Sequence, residues 1–346
     1  MRSAMLLGLT LLPFFGASGY ASPSEAGGHV CPDIPEPVVS LAYGSRYRDD
    51  SKTRSDIDKE GDAEVTAALK PIDDFIRSLS AIADDIAAEE PDVRLDADCA
   101  GDALAAWAEA GAMTDLQTLN ARLSVGGRLA GLALSYRRIR PLMADDTQVS
   151  AVDRWLKDAS YNQIAFWEDD APPGAQEGNL RAWAALGYLA TGLAVGDDTL
   201  VEEAARTTEA LACTANDDGS LPQEMRRAHY ALHYQFHAVA PMITTAALLK
   251  RDAGIDITAT CDGALGRAAR FAVTDYLNEG SAAEALTGRR QSYFDGAGEI
   301  RQHELAWAHA FAAIYGDDAG LQHLTGAFRT LRNSKLGGNQ ALMWLQ

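Results

Sequence analysis

Leu221 to His237 reads Leu-Pro-Gln-Glu-Met-Arg-Arg-Ala-His-Tyr-Ala-Leu-His-Tyr-Gln-Phe-His, gathering three of the chain's seven histidines with two arginines and two tyrosines. Phenol and imidazole groups exchange protons, and a guanidinium holds an anion while they do so. At about 100° per residue, a helix through this segment sets Arg227 and Tyr234 two turns apart and about 20° apart around its axis. Tyr230 and His237 flank that face, and Arg226 and His233 sit on the next one. A helix turned toward an apolar core does not carry cation, phenol and imidazole unless each has a partner. Two plainer readings fit the same residues: an exposed polar helix, or Tyr and His satisfied at the core edge. A metal set of His229, His233 and His237 is disfavoured, because such positions drift around the helix and no Asp or Cys completes them nearby. No metal or other cofactor is expected.

Other chemistries fail on spacing. His303-Glu304-Leu305-Ala306-Trp307 begins like a zinc-protease helix, but Trp307 stands where the second His is required. A Gly-x-Ser-x-Gly elbow and a Walker loop are both missing from the sequence. Carboxylates are too numerous for a glycosidase pair to be singled out. The chain has 346 residues, 30 Lys plus Arg against 49 Asp plus Glu, and a formal net charge of −19. Nucleic-acid binding needs a cationic field, so no such partner is expected. An acidic ligand would have to meet a local cluster of Arg strong enough to overcome the bulk field.

The elements that must position these groups read as helices. Apolar residues recur at three- and four-residue spacing from Val65 nearly to the end, with no convincing strand alternation. The short links Asp145-Asp146-Thr147, Gly196-Asp197-Asp198 and Gly316-Asp317-Asp318 offer carboxylates as helix N-caps. About ten to twelve helices joined this tersely can bundle, stack or close into a toroid. Two longer stretches, Asp169–Gly178 and Asn278–Arg301, are candidate lids or cleft walls. Met1–Ala21 reads as a secretory signal, with Arg2, an apolar run and a Gly-Tyr-Ala cleavage site. Residues 22–61 form an irregular arm, and 62–346 form the helical domain. No later segment approaches membrane-spanning length, so the expectation is a soluble periplasmic or secreted monomer. Cys31, Cys99, Cys213 and Cys261 suit an oxidising compartment. Of three possible pairings, sequence order favours Cys31 with Cys99 and Cys213 with Cys261 without deciding it.

Taken together, these features resemble the periplasmic alginate lyases, the poly(β-D-mannuronate) lyases of polysaccharide lyase family five. The resemblance rests on Cys31-Pro32, Cys99 followed by Trp107-Ala108, Asn179-x-x-x-Trp183 and Gly219-x-Leu-Pro-x-Glu224. Arg227-x6-Tyr234, Leu305-Ala306-Trp307 and Leu336-Gly337-Gly338 complete it. It implies an all-α fold, an (α/α) toroid of helical hairpins, and metal-independent β-elimination on a uronate polymer. It also implies that Asn179, Arg227 and Tyr234 act in the reaction. The family's Asn-Asn-His-x-Tyr-Trp is similar to Gly178-Asn179-Leu180-Arg181-Ala182-Trp183, so Leu180 stands at the His position. With that imidazole absent, Tyr234 acts alone, or His233 or His237 supplies the second group. Arg226, Arg181, Arg289 and Arg290 are candidates for further sugar carboxylates, with Tyr230 beside them. Trp183 and Tyr293 are candidates for stacking on sugar rings. The alternatives are a relative that binds anionic polysaccharide without cleaving it, and a helical glycoside hydrolase.

Overall fold

The computed structural model describes residues 25–26, 29–91, 93–296 and 298–345, so the expected signal at Met1–Ala21 lies outside the described residues. The chain runs through α1 (Lys59–Ala87), α2 (Val93–Glu109), α3 (Leu119–Ser124), α4 (Gly126–Ile139), α5 (Asp146–Ala165), α6 (Pro173–Gln176) and α7 (Asn179–Val195). It continues with α8 (Asp198–Ala212), α9 (Pro222–Met225), α10 (Ala231–Leu248) and α11 (Thr260–Leu277). The last helices are α12 (Ser281–Thr287), α13 (Ala308–Tyr315), α14 (Ala319–Thr325) and α15 (Gln340–Trp344). Strands are two-residue pairs only: β1 (Glu25–Ala26) with β2 (His29–Val30), β3 (Ser40–Leu41) with β4 (Asp115–Leu116), and β5 (Arg332–Asn333) with β6 (Gly338–Asn339).

Helices α1, α4, α7, α10 and α13 pack in succession as an inner ring, with α2, α5, α8, α11 and α14 outside them. Burial follows from that placement. The middle inner helices α4, α7 and α10 are enclosed almost all round, whereas α1 and α8 bury one stripe and present carboxylates to solvent. This is an (α/α) toroid. Asp145, Asp197 and Asp318 cap α5, α8 and α14 by accepting first-turn N–H groups, as the linker carboxylates predict. Gly126 lets α4 touch α7, since a Cβ there would lie 2.7 Å from the Ala184 Cα. The next residue, Gly127, leaves room for the Trp183 ring against its backbone.

The disulfides are Cys31–Cys99 and Cys213–Cys261. The first ties the arm to α2 and the second joins the end of α8 to the start of α11; on loop length, each contributes about 4 kcal/mol. Beyond Cys31 the arm is not loose. The Trp107 Nε1–H donates to the Pro35 carbonyl, β3 pairs parallel with β4, and the Thr118 hydroxyl donates to the Tyr43 carbonyl. The arm then turns into a hairpin, where Arg48 N–H donates to the Asp56 carbonyl and Asp58 N–H to the Arg46 carbonyl.

The gap between α13 and α1 is filled by residues 332–344. Asp84 on α1, only 2% exposed, holds this segment. Its carboxylate accepts from the Asn339 N–H at 3.0 Å and from Arg332 Nη2 at 2.5 Å, with Arg138 Nη1 at 3.8 Å. Gly338 passes at φ +92°, where an added Cβ would lie 2.7 Å from Asp84 Oδ1. Asp84→Ala leaves the Arg332 guanidinium and the Asn339 N–H without their acceptor and Arg138 without its counter-charge. We expect a loss of about 3 kcal/mol in stability, read from the denaturant midpoint. A change below about 1 kcal/mol would mean that this carboxylate does not hold the ring closed.

Candidate active site

A cleft of about 280 Å³ opens between the inner helices and the arm. Its walls carry Arg46, Arg54, Arg128, Arg227 and Lys335, and no Asp or Glu lines it among the described residues. The carboxylates stand behind the cations. Arg46 is paired with Asp62, and Arg128 Nη2 reaches Asp73 at 2.9 Å, with Lys335 Nζ 3.5 Å from the same carboxylate. Burial pulls Lys335 down to about 8, with Arg128 acting in the same direction and Asp73 against it. The Nε–H groups of Arg128 and Arg227 are buried without a hydrogen-bond partner.

Arg227 and Tyr234 do come together, by a different route from the one the periodicity predicts. The helix is not continuous: α9 ends at Met225, Ala228 sits at φ +50°, and α10 begins only at Ala231. That turn folds the Arg227 guanidinium back over the Tyr234 ring, 3.6 Å from its centroid. Arg227 Nη2 donates to the Arg54 carbonyl at 2.6 Å, and the Tyr47 hydroxyl is hydrogen-bonded to the Tyr234 hydroxyl. The arm hairpin therefore lies across the site as a flap. Burial raises the Tyr234 phenol far above its ordinary range, and Tyr47 adds to this against the pull of Arg227. Under the flap Tyr234 keeps its proton.

Opposite lie Asn179, Leu180 and Trp183 on the first turn of α7, with His237 from α10. The buried Glu224 carboxylate accepts from the Asn179 N–H at 2.7 Å and from Asn179 Nδ2 at 2.9 Å. Burial pushes Glu224 up to about 7, against these two donors, Arg227 and His233. His237 Nδ1 lies 3.1 Å from Asn179 Oδ1 and 3.0 Å from Trp183 Nε1. Leu180 offers no proton-transfer group, so the imidazole in this cleft comes from α10. Burial depresses His237 to about 3, and His233, Lys335 and Arg227 add to the shift. It is neutral at physiological pH.

His237, Trp183 and Lys335 also wall a second, larger chamber of about 540 Å³ that adjoins the first. His233 belongs there, with Nδ1 3.0 Å from Glu304 Oε1. Tyr293 donates to that carboxylate at 2.6 Å and packs its ring against Phe236 and Tyr276, so its faces are occupied by protein. The structure does not bring Arg226, Arg181, Tyr230, Arg289 or Arg290 into the cleft lining. Arg226 is exposed and reaches only Gln223, and Arg181 donates to the Gln176 carbonyl. Tyr230 stacks on His229 beside the site, Arg289 is exposed, and Arg290 pairs with Glu279 and Glu284. Asp169–Gly178 and Asn278–Arg301 likewise stay out of the lining, and the flap comes from residues 44–58 instead. Tyr47, Arg54, Arg128, Lys335 and Glu224 escape a sequence reading, although Glu224 lies in the Gly219-x-Leu-Pro-x-Glu224 run. No group of three or more His, Cys, Asp or Glu among the described residues is arranged to hold a metal ion.

Residues 40–282 match the family model described as alginate lyase. The chain is 29% identical over 341 residues to a polysaccharide lyase of Stenotrophomonas maltophilia, covering 97% of this chain and 96% of that one. An alginate lyase of Azotobacter vinelandii is 26% identical over 316 residues, covering 89% and 82%. Among solved structures, alginate lyase A1-III from Sphingomonas species A1 superposes with a TM-score of 0.74 at 20% identity, covering 91% of this chain and 86% of that one. A variant of A1-III complexed with a tetrasaccharide gives a TM-score of 0.77 over the same shares.

The His237 shift makes a prediction about stability. Its folded value of about 3 lies below the ordinary 6.5, so between these pH values the folded chain binds fewer protons than the unfolded one. The contribution is intact above 6.5 and is lost as pH falls toward 3. In His237→Gln, the denaturant midpoint should therefore fall less steeply across that window. An unchanged slope would show that the imidazole is not held neutral.

Proposed function

The chain belongs to the alginate lyase family, and on that premise we propose that it cleaves an alginate-like polyuronate by β-elimination at the flap-covered cleft. The observation that carries this reading is the segregation of charge. A chain of net charge −19 lines its cleft with five cations and no carboxylate among the described residues. A polyanion is repelled by the net charge of the chain and attracted to this cleft. Glycoside hydrolysis requires a pair of carboxyl groups flanking the scissile bond, which this cleft lacks, so the hydrolase reading is not favoured. Neither is a relative that only binds, because an imidazole and a phenol both face the cleft.

The chemistry follows from the protonation states. Removing the proton at C5 of a uronate places charge beside a carboxylate, so that carboxylate must first be neutralised. The Arg227 guanidinium in the cleft wall does this, and Asn179 assists with the second N–H of its amide. His237 is neutral and takes the C5 proton on Nε2. The C5–H electrons form the C4=C5 double bond, the C4–O bond breaks, and the leaving oxygen takes the Tyr234 hydroxyl proton. The proton on His237 then returns through solvent to the Tyr234 phenolate. His233 is held by Glu304 in the adjoining chamber and takes no part in these steps. Before reaction, substrate must displace the Tyr47 hydroxyl, which occupies the hydrogen-bonding position of Tyr234.

The expected Met1–Ala21 signal and two disulfides support export to the periplasm or beyond. No helix among the described residues is long and apolar enough to cross a membrane. The test is a panel of mannuronan, guluronan and glucuronan, read by the ultraviolet absorbance of the unsaturated uronate. Tyr234→Phe and His237→Ala should each lower turnover by about 10²-fold or more, with the fold retained. Undiminished turnover in Tyr234→Phe, or reducing ends without the unsaturated product, would overturn the reading.

A further inference from the structure

Glu224 stands behind the cleft without a part in the steps above. Its carboxylate is 1% exposed and makes two hydrogen bonds to one residue, at the Asn179 N–H and Nδ2. Asn179 in turn directs Oδ1 at His237 Nδ1, 3.1 Å away, while the Trp183 indole Nε1 lies 3.0 Å from the same nitrogen. These two neighbours make opposite demands. The indole N–H only donates, so it asks Nδ1 for a lone pair. The amide oxygen only accepts, so it asks Nδ1 for a proton. One ring nitrogen cannot meet both.

Glu224 decides between them. An ionised carboxylate only accepts, so it keeps the amide nitrogen of Asn179 on its own side and leaves the amide oxygen facing the imidazole. With that oxygen fixed, a protonated Nδ1 gives it a hydrogen bond, at the cost of the bond that the Trp183 N–H directs at Nδ1, and leaves the lone pair on Nε2. That edge of His237 has no hydrogen-bond partner among the described residues, and His237 walls both chambers. We propose that Glu224 is a positioning residue that fixes, through Asn179, the tautomer in which His237 presents a basic Nε2 to the cleft. The kinetic consequence rests on the elimination reading above; the tautomer does not.

Glu224→Gln separates this role from simple support of the α7 N-terminus. The Gln oxygen still accepts from the Asn179 N–H, but its amide N–H₂ now confronts Asn179 Nδ2. The Asn179 amide must turn over, Nδ1 becomes an acceptor from Trp183, and the proton moves to Nε2. The measurement is ¹⁵N NMR of histidine-labelled protein without substrate, on the alkaline side of the Glu224 titration, with His237→Gln assigning the signal. In the unmutated chain His237 should show a protonated Nδ1 and a bare Nε2, and Glu224→Gln should reverse them. Asn179→Ala, which cuts the link while keeping Glu224, should reverse them too and serves if Glu224→Gln does not fold. On a cleavable polyuronate, Glu224→Gln should lower kcat by about 10²-fold or more with KM changed less than about threefold. An unaltered tautomer in both variants overturns the relay. A reversed tautomer with undiminished kcat sustains the relay and removes His237 from the elimination, so the two readings fail separately.

Discussion

The constraint on which the site depends is electrostatic: an acidic chain must keep a groove attractive to anions. Along part of the wall it does so by placing a carboxylate behind the cations. Asp62 stands behind Arg46, and Asp73 stands behind both Arg128 and Lys335. A guanidinium buried alone would be expensive. One anchored from behind, as Arg128 is by Asp73, has its charge compensated and still stands in the wall of the groove. Asp73 serves two cations at once, which leaves that wall net positive. The same device recurs at the closing seam, where Asp84 holds Arg332 and a backbone N–H. Lys335 lies within that closing segment, so the cationic wall is complete only when the ring is shut.

The toroid itself was legible because helix periodicity and Asp caps are local. The carboxylates at Asp145, Asp197 and Asp318 cap helices where the sequence offers them. The Cys31–Cys99 and Cys213–Cys261 pairing is also the one that sequence order favours. At the site, Arg227 and Tyr234 were legible as a pair, but through a helix that does not exist. Ala228 takes a left-handed backbone conformation that its side chain does not advertise, and this break decides which cations face the groove. Arg227 folds inward over the ring, while its neighbour Arg226 is left in solvent. Arg128 and Lys335 were illegible for another reason. They lie far apart in sequence, and only ring closure brings them to one carboxylate. The flap was hidden because Tyr47 and Arg54 sit in an Arg-, Ser- and Asp-rich stretch that reads as coil. Its order comes from hydrogen bonds such as those of the Ser51 hydroxyl with Ser55 and Asp56, which have no periodic signature.

On the proposed elimination, burial sets the acid and base roles apart. The same desolvation that keeps the Tyr234 phenol protonated keeps the His237 imidazole neutral, because in each case the charged form is the one penalised. A neutral phenol is a proton donor and a neutral imidazole a proton acceptor, so one enclosed space yields an acid and a base at the same pH. On the proposed elimination the imidazole comes from position 237 on α10, while Leu180 stands on α7. An imidazole on α7 would follow Asn179 in the chain and share its helix. From α10 it meets Asn179 across the groove, and side-chain hydrogen bonds and ring contacts hold its orientation. A buried carboxylate, an amide and an indole converge on that one ring, so on the proposed reading the base is aimed by side chains gathered from α7 and α9.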